Sequence, residues 1–145
     1  MFTCNKTVLS LAAILALMLS VSLVHAEGEM KHGKVFKAKE KVLPQGYVKQ
    51  GGLTWMPVSS TEYNYSQATT LCAGTINGQT GWRLPTKDEL SALYNSGAMK
   101  GQGWTLSITW SSTPDSAGDH YYVSLDSGSV YGNIDTNKNY VSCVR

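Results

Sequence analysis

The residues able to do chemistry in this chain are few, and their spacing favours binding over catalysis. Outside the first 26 residues there are two histidines, His32 and His120, and two cysteines, Cys72 and Cys143. A hydrolytic triad needs a histidine between a nucleophile and an acid, and a zinc protease needs H-E-x-x-H; neither pattern surrounds either histidine. The two thiols read better as one bond than as nucleophiles. A Cys72–Cys143 bond would close almost the whole of the chain beyond Cys72 into one loop, and a loop of about 70 residues removes roughly 4 kcal/mol of denatured-state freedom in the chain-entropy treatment. The expectation is a protein that is not an enzyme.

The carboxylates raise the question of calcium. Asp115, Asp119 and Asp135 are candidate oxygen ligands, and Asn133, Asp135, Asn137 and Asn139 place oxygens at every second position. An EF-hand does not fit: counting from Asp135 puts Tyr140 where the turn glycine belongs, and the chain ends before the final glutamate. No metal ligand set and no cofactor are expected, with calcium at these three aspartates as the alternative.

The elements that must position these residues begin after a leader. Lys6 precedes an apolar run from Val8 to Val24, and Val24-His25-Ala26 presents small residues at a cleavage position, so residues 1–26 read as a secretory signal peptide. Secretion to an extracellular or periplasmic compartment, oxidising enough for a disulfide, follows, with no stable membrane insertion after cleavage. Residues 27–50 carry six lysines against three glutamates, a net +3, and read as a flexible lysine-rich tail or an edge segment. Residues 51–145 carry five basic and seven acidic side chains, a net −2. A nucleic-acid binder would carry its basic patch on the folded part, so nucleic acid is excluded as a partner.

Within 51–145 the punctuation predicts two helices followed by an antiparallel sheet, an α+β domain with one long-range disulfide. Leu53-Thr54-Trp55-Met56-Pro57-Val58 is the first strand. Residues 65–73 form a helix capped by Asn64 or Ser66 and ended by Gly74. Thr86-Lys87-Asp88-Glu89 is a capping box opening a second helix, with Leu90, Leu93 and Tyr94 as its buried stripe and Gly97 as its stop. Strands are expected over 109–113, 121–125, 129–134 and 139–144, with Asp126-Ser127-Gly128 as a hairpin turn. Trp55, Trp82 and Trp110 are core aromatics, and Arg83 pairs with Asp88 or Glu89.

Strand alternation then predicts a binding surface. Tyr121, Val123 and Leu125 face the core, with Val130 and Ile134 of the next strand, which turns Tyr122, Tyr131, Asn133 and Asp135 outward. Aromatic faces stack while amides and carboxylates fix hydroxyl or backbone groups. The candidate ligand-contacting residues are therefore Tyr122, Tyr131, Asn133, Asp135, Asn137 and Lys138, with Asp119 and His120 from the preceding loop.

Gly52-Leu53-Thr54-Trp55, Gly81-Trp82-Arg83-Leu84-Pro85-Thr86-Lys87-Asp88-Glu89-Leu90, Trp110-Ser111-Ser112-Thr113 and the closing Cys143-Val144-Arg145 occur here in an order that resembles the Lcl C-terminal domain family. That family takes its name from a collagen-like adhesin of Legionella. The resemblance implies a C-type-lectin-like fold, with two helices on a twisted antiparallel sheet, secretion or surface display in a bacterium, and a role in adhesion. Its implied partners are a glycan or a protein on a cell surface. The same fold class includes formylglycine-generating enzymes, which work through an active-site cysteine pair; here both cysteines are placed as the bridge. A short lysine-rich segment stands where that adhesin has a collagen-like stalk, so no trimer is implied and a homo-oligomer stays open. The other reading is a structural subunit of a surface assembly with no small-molecule ligand.

Overall fold

A computed structural model describes residues 42–145. The signal-peptide reading of residues 1–26 and the lysine-rich segment up to residue 41 lie outside the described residues. Two strands, two helices and three further strands follow in order: β1 (Val48–Gln50), β2 (Leu53–Trp55), α1 (Tyr65–Ala73), α2 (Lys87–Ser96), β3 (Ile108–Pro114), β4 (His120–Ser124) and β5 (Val130–Asn133).

The folded part starts ahead of the expected boundary at Gly51. β1 pairs antiparallel with β2, Val48 opposite Trp55, through a two-residue turn at Gly51 and Gly52 whose φ values of 61° and 77° suit a primed hairpin turn. Val48 is buried, and Tyr47 packs edge-on against Trp82 with ring centroids 5.9 Å apart. These apolar contacts give residues 47–50 a fixed place that their lysine-rich surroundings did not announce.

Both helices start where their caps put them. Asn64 closes a capping box with Gln67 at α1, and Thr86 closes one with Glu89 at α2. Gly74 ends α1, and Gly97, at φ 66°, ends α2 in the left-handed conformation that only glycine adopts cheaply. α2 buries Leu90 and Leu93, which join Val48, Trp55, Met99, Trp104, Val123, Leu125 and Val144 in one apolar cluster. α1 contributes Ala68 and Cys72 to the other cluster, with Trp82, Leu84, Trp110, Val141 and Cys143. The Cys72–Cys143 disulfide lies inside that second cluster and spans 71 residues.

β3, β4 and β5 form one antiparallel sheet in that order. A register shift between Trp110 and Pro114 bulges β3, and Ser111 Oγ donates to the Tyr121 carbonyl at 2.9 Å beside it.

The segment expected as a fifth large strand over 139–144 is not one. It makes isolated bridges to successive neighbours: Asn139 with Tyr63, Tyr140 with Thr109, and Val144 with both Trp55 and Arg83. Its backbone follows residues 54–63 antiparallel, with bonds of Thr54 to Arg145, Met56 to Cys143, Ser59 to Val141 and Tyr63 to Asn139. The register slips after Met56, so the pairing stays a set of single bridges, and Val141, Ser142, Cys143 and Val144 are all buried. Nor do Val130 and Ile134 face the core. They are 37% and 57% exposed, because β5 is the last strand of its sheet and overhangs the layers that cover β4.

Candidate recognition face

The candidate face is built from a turn upward. Asp115 Oδ1 accepts from the backbone N–H groups of Ala117, at 2.8 Å, and Asp119, at 3.1 Å, and the Asp115 N–H donates to the Asp119 carbonyl. This fixes the turn between β3 and β4 and aims Asp119, whose Oδ1 accepts from the Asp135 N–H at 3.0 Å. Asp135 in turn receives His120 Nδ1 on both carboxylate oxygens, at 2.9 and 3.0 Å.

His120 is held on a second side by α1. The Tyr65 ring stacks on the imidazole with centroids 3.5 Å apart and planes 11° from parallel, and Trp110 meets Tyr65 edge-on at 5.8 Å. The Tyr65 N–H donates to the Asp135 carbonyl at 3.1 Å. Burial, with a smaller contribution from the Asp135 charge, pushes the Tyr65 phenol above its ordinary pKa, so it stays neutral. The bond to a carboxylate places the imidazole proton on Nδ1 and leaves Nε2 without a protein partner among the described residues.

A chain of amides continues the face. Asn137 Nδ2 donates to Asn133 Oδ1 at 2.7 Å, and Asn133 Nδ2 donates to Asn139 Oδ1 at 3.1 Å. Asn139 is fully buried and its own Nδ2 has no partner among the described residues. Tyr122 and Tyr131 lie beside this chain with ring centroids 6.0 Å apart, Tyr131 being 58% exposed.

Seven of the eight candidates thus fall into three joined groups: the Asp119, His120 and Asp135 node, the Asn133 and Asn137 amides, and the Tyr122 and Tyr131 rings. Lys138 is exposed in the turn that follows β5. Sequence reasoning missed Tyr65 and Asn139 as parts of the site. Tyr65 reaches His120 only through the fold, so no local pattern marks it, while Asn139 stands in the alternating run of oxygens considered for calcium and is not among the residues predicted for the face. The three aspartates considered for calcium use oxygens as acceptors for N–H groups of the protein. Among the described residues no group of three or more His, Cys, Asp or Glu side chains is placed to hold a metal ion.

Two open grooves lie elsewhere. One of about 370 Å³ runs between the β1–β2 hairpin and α2, lined by Gln50, Leu53, Asp88, Glu89 and Ala92, and one of about 340 Å³ runs along α1 past Tyr63, Gln67 and Thr70. Arg83 grips Glu89 with two bonds of 2.8 and 2.7 Å beside the first groove. Among the described residues no helix is long and apolar enough to cross a membrane.

The fold and face define a disulfide-closed α+β domain whose polar and aromatic residues gather at one sheet edge. The chain belongs to the Lcl C-terminal domain family, whose sequence profile matches residues 49–145. Its fold is similar to part of the Yersinia pseudotuberculosis adhesin InvE, at 22% identity and a TM-score of 0.51, over 69% of this chain. The matched region is 34% of that adhesin's chain, so this protein spans about a third of its length. A chain in the structure of the von Willebrand Factor mutant A1 domain–botrocetin complex is a more remote likeness, at 12% identity and a TM-score of 0.46, over 71% of this chain and 98% of that one. No curated protein sequence matches the chain.

Proposed function

We propose that this protein is a secreted, non-catalytic adhesion or recognition domain of C-type-lectin-like class, which binds a glycan or protein on a cell surface through the β4–β5 edge. The observation that carries this reading is the exposed Tyr131 ring, paired with Tyr122, beside a histidine held in place by a carboxylate on one side and a stacked tyrosine on the other. A ligand meeting such a face finds its polar groups already ordered, which lowers the entropic cost of binding. The family and the likeness to an adhesin support it, and the buried disulfide suits an oxidising, extracellular compartment.

The test is binding of the purified protein to a glycan array and to intact cells, with calcium and again with EDTA. Binding in both buffers that falls at least tenfold in a Tyr131→Ala/Asn133→Ala variant with an unchanged melting temperature is the expected result. Binding that survives the double substitution would place the ligand elsewhere. The second reading, a subunit of a surface assembly, is favoured by Val130 and Ile134, apolar side chains exposed on the same edge.

A further inference from the structure

Most of the large apolar side chains exposed on the described domain lie at one place. Of the four that are more than a third exposed, Val130, Tyr131 and Ile134 sit on β5 or just past it, and the fourth, Val42, is the first described residue. β5 is an edge strand, and its sequence Val-Tyr-Gly-Asn holds no charge and no proline, the usual guards of such an edge.

The ladder shows which backbone groups are open. Ser124 donates to the Ser129 carbonyl at 2.9 Å and accepts from the Gly128 N–H at 2.8 Å, which anchors the alternation at the turn. In the observed register Tyr122 then exchanges bonds with Tyr131, and His120 with Asn133. The N–H and C=O groups of Val130 and Gly132 therefore point away from β4, to the free edge.

Charge says what fits there. Four carboxylates, Asp115, Asp119, Asp126 and Asp135, lie on the turns and ends around β5, against one lysine, Lys138, between residues 115 and 138. The Asp115 carboxylate lies over Gly132, in the space a β-carbon would fill. Its Oδ1 serves the turn, while Oδ2 has no hydrogen-bond partner among the described residues. A two-fold pairing of β5 with a second copy would set the Asp126 end of one strand beside the Asp135 end of the other, acid against acid, which disfavours that occupant.

We infer that the free edge of β5 is a strand-addition site for an extended segment of another protein, with alternating apolar residues and a lysine or arginine opposite Gly132 that reaches Asp115. Backbone bonds to Val130 and Gly132 would give affinity, and Asp115 the choice of a basic residue. The inference rests on the recognition reading and makes its ligand a polypeptide.

The experiment is selection of short random peptides displayed on phage against the full chain, followed by titration of the enriched peptides. Val130→Pro removes an edge donor without touching a bond to β4, and Asp115→Asn removes the charge while keeping an Oδ1 acceptor for the turn. Enriched peptides rich in lysine or arginine, each losing about tenfold in affinity in either variant, are expected, one hydrogen bond being worth roughly that factor. Should Val130→Pro fail to fold, Asp115→Asn decides alone. Peptides without basic residues, or affinities unchanged in the folded variants, would overturn the inference. So would a dimer in light scattering that Val130→Pro dissolves, which would make the occupant a second copy. If Tyr131→Ala abolishes cell binding and Val130→Pro leaves it intact, strand addition falls and the recognition face stands.

Discussion

At the residue scale the Arg83 and Glu89 pair shows how one side chain serves two structures. Glu89 Oε2 accepts from Arg83 and from the Thr86 N–H, both at 2.8 Å, so the ion pair and the helix cap share one carboxylate. The Arg83 guanidinium, helped by the Thr86 bonds, holds the Glu89 carboxyl below its ordinary range against the opposing effect of burial. A depressed carboxylate contributes stability that is present above the unfolded-state pKa and is lost as pH falls through the lower folded-state value. Arg83 is about half exposed, at 48%, so solvent screens the pair and its worth is that of a surface bridge, with the cap adding to it. Glu89→Gln is expected to cost about 1 kcal/mol near neutral pH. The difference from wild type should close as pH falls from the ordinary carboxylate range through the depressed one, read from urea unfolding across that range. A gap that persists in acid would assign the loss to packing rather than charge.

Among the elements, the hairpin turns separate two costs that glycine removes. Gly128, at φ 76°, closes the β4–β5 turn directly against the Tyr94 ring of α2, which occupies the space of an added β-carbon. Gly51, at φ 61°, has nothing within 4 Å of that position. Gly51→Ala should therefore cost only the left-handed backbone, about 1–2 kcal/mol, while Gly128→Ala adds overpacking of about 1–3 kcal/mol. Urea midpoints of the two variants measure the difference, and equal losses would mean that Tyr94 moves aside freely. The same contrast between local and tertiary causes explains what the sequence could tell. Asn64, Gly74, Thr86, Glu89 and Gly97 mark helix ends by chemistry that acts within a few residues, and each stands where its type predicts. The 139–144 segment has the alternation of a strand, but its register against residues 54–63 slips after Met56 and leaves only single bridges, and Val130 has the pattern of a core residue on the outermost strand of its sheet. Of the face, the His120, Asp135 and Asn133 group was legible because alternation and a short loop bring it together. Tyr65, from a helix far away in sequence, was not.

On the scale of the whole molecule, the last seven residues bind the domain together. Thr54 and Arg145 exchange backbone bonds at 2.8 and 3.1 Å, Arg83 and Val144 exchange two at 2.9 Å, and Ser59 donates to Val141 at 2.8 Å, so this segment ties the β1–β2 hairpin to the segment before α2. Cys143 lies in its middle and joins it to α1, with both cysteines fully buried. The covalent link acts mainly on the unfolded chain: closing a 71-residue loop removes about 4 kcal/mol of its freedom. Domains of this size have net stabilities of roughly 5–15 kcal/mol, so the bond is a large fraction of the whole. Reduction, or a Cys72→Ala/Cys143→Ala variant, is expected to lower the unfolding free energy by about that amount. The urea m-value should rise as well, because the released chain exposes more surface when it unfolds. A loss of stability with no change in m would trace the effect to packing around the sulfur atoms in the folded state. A rise in m together with the loss would locate it in the denatured chain, where loop closure acts.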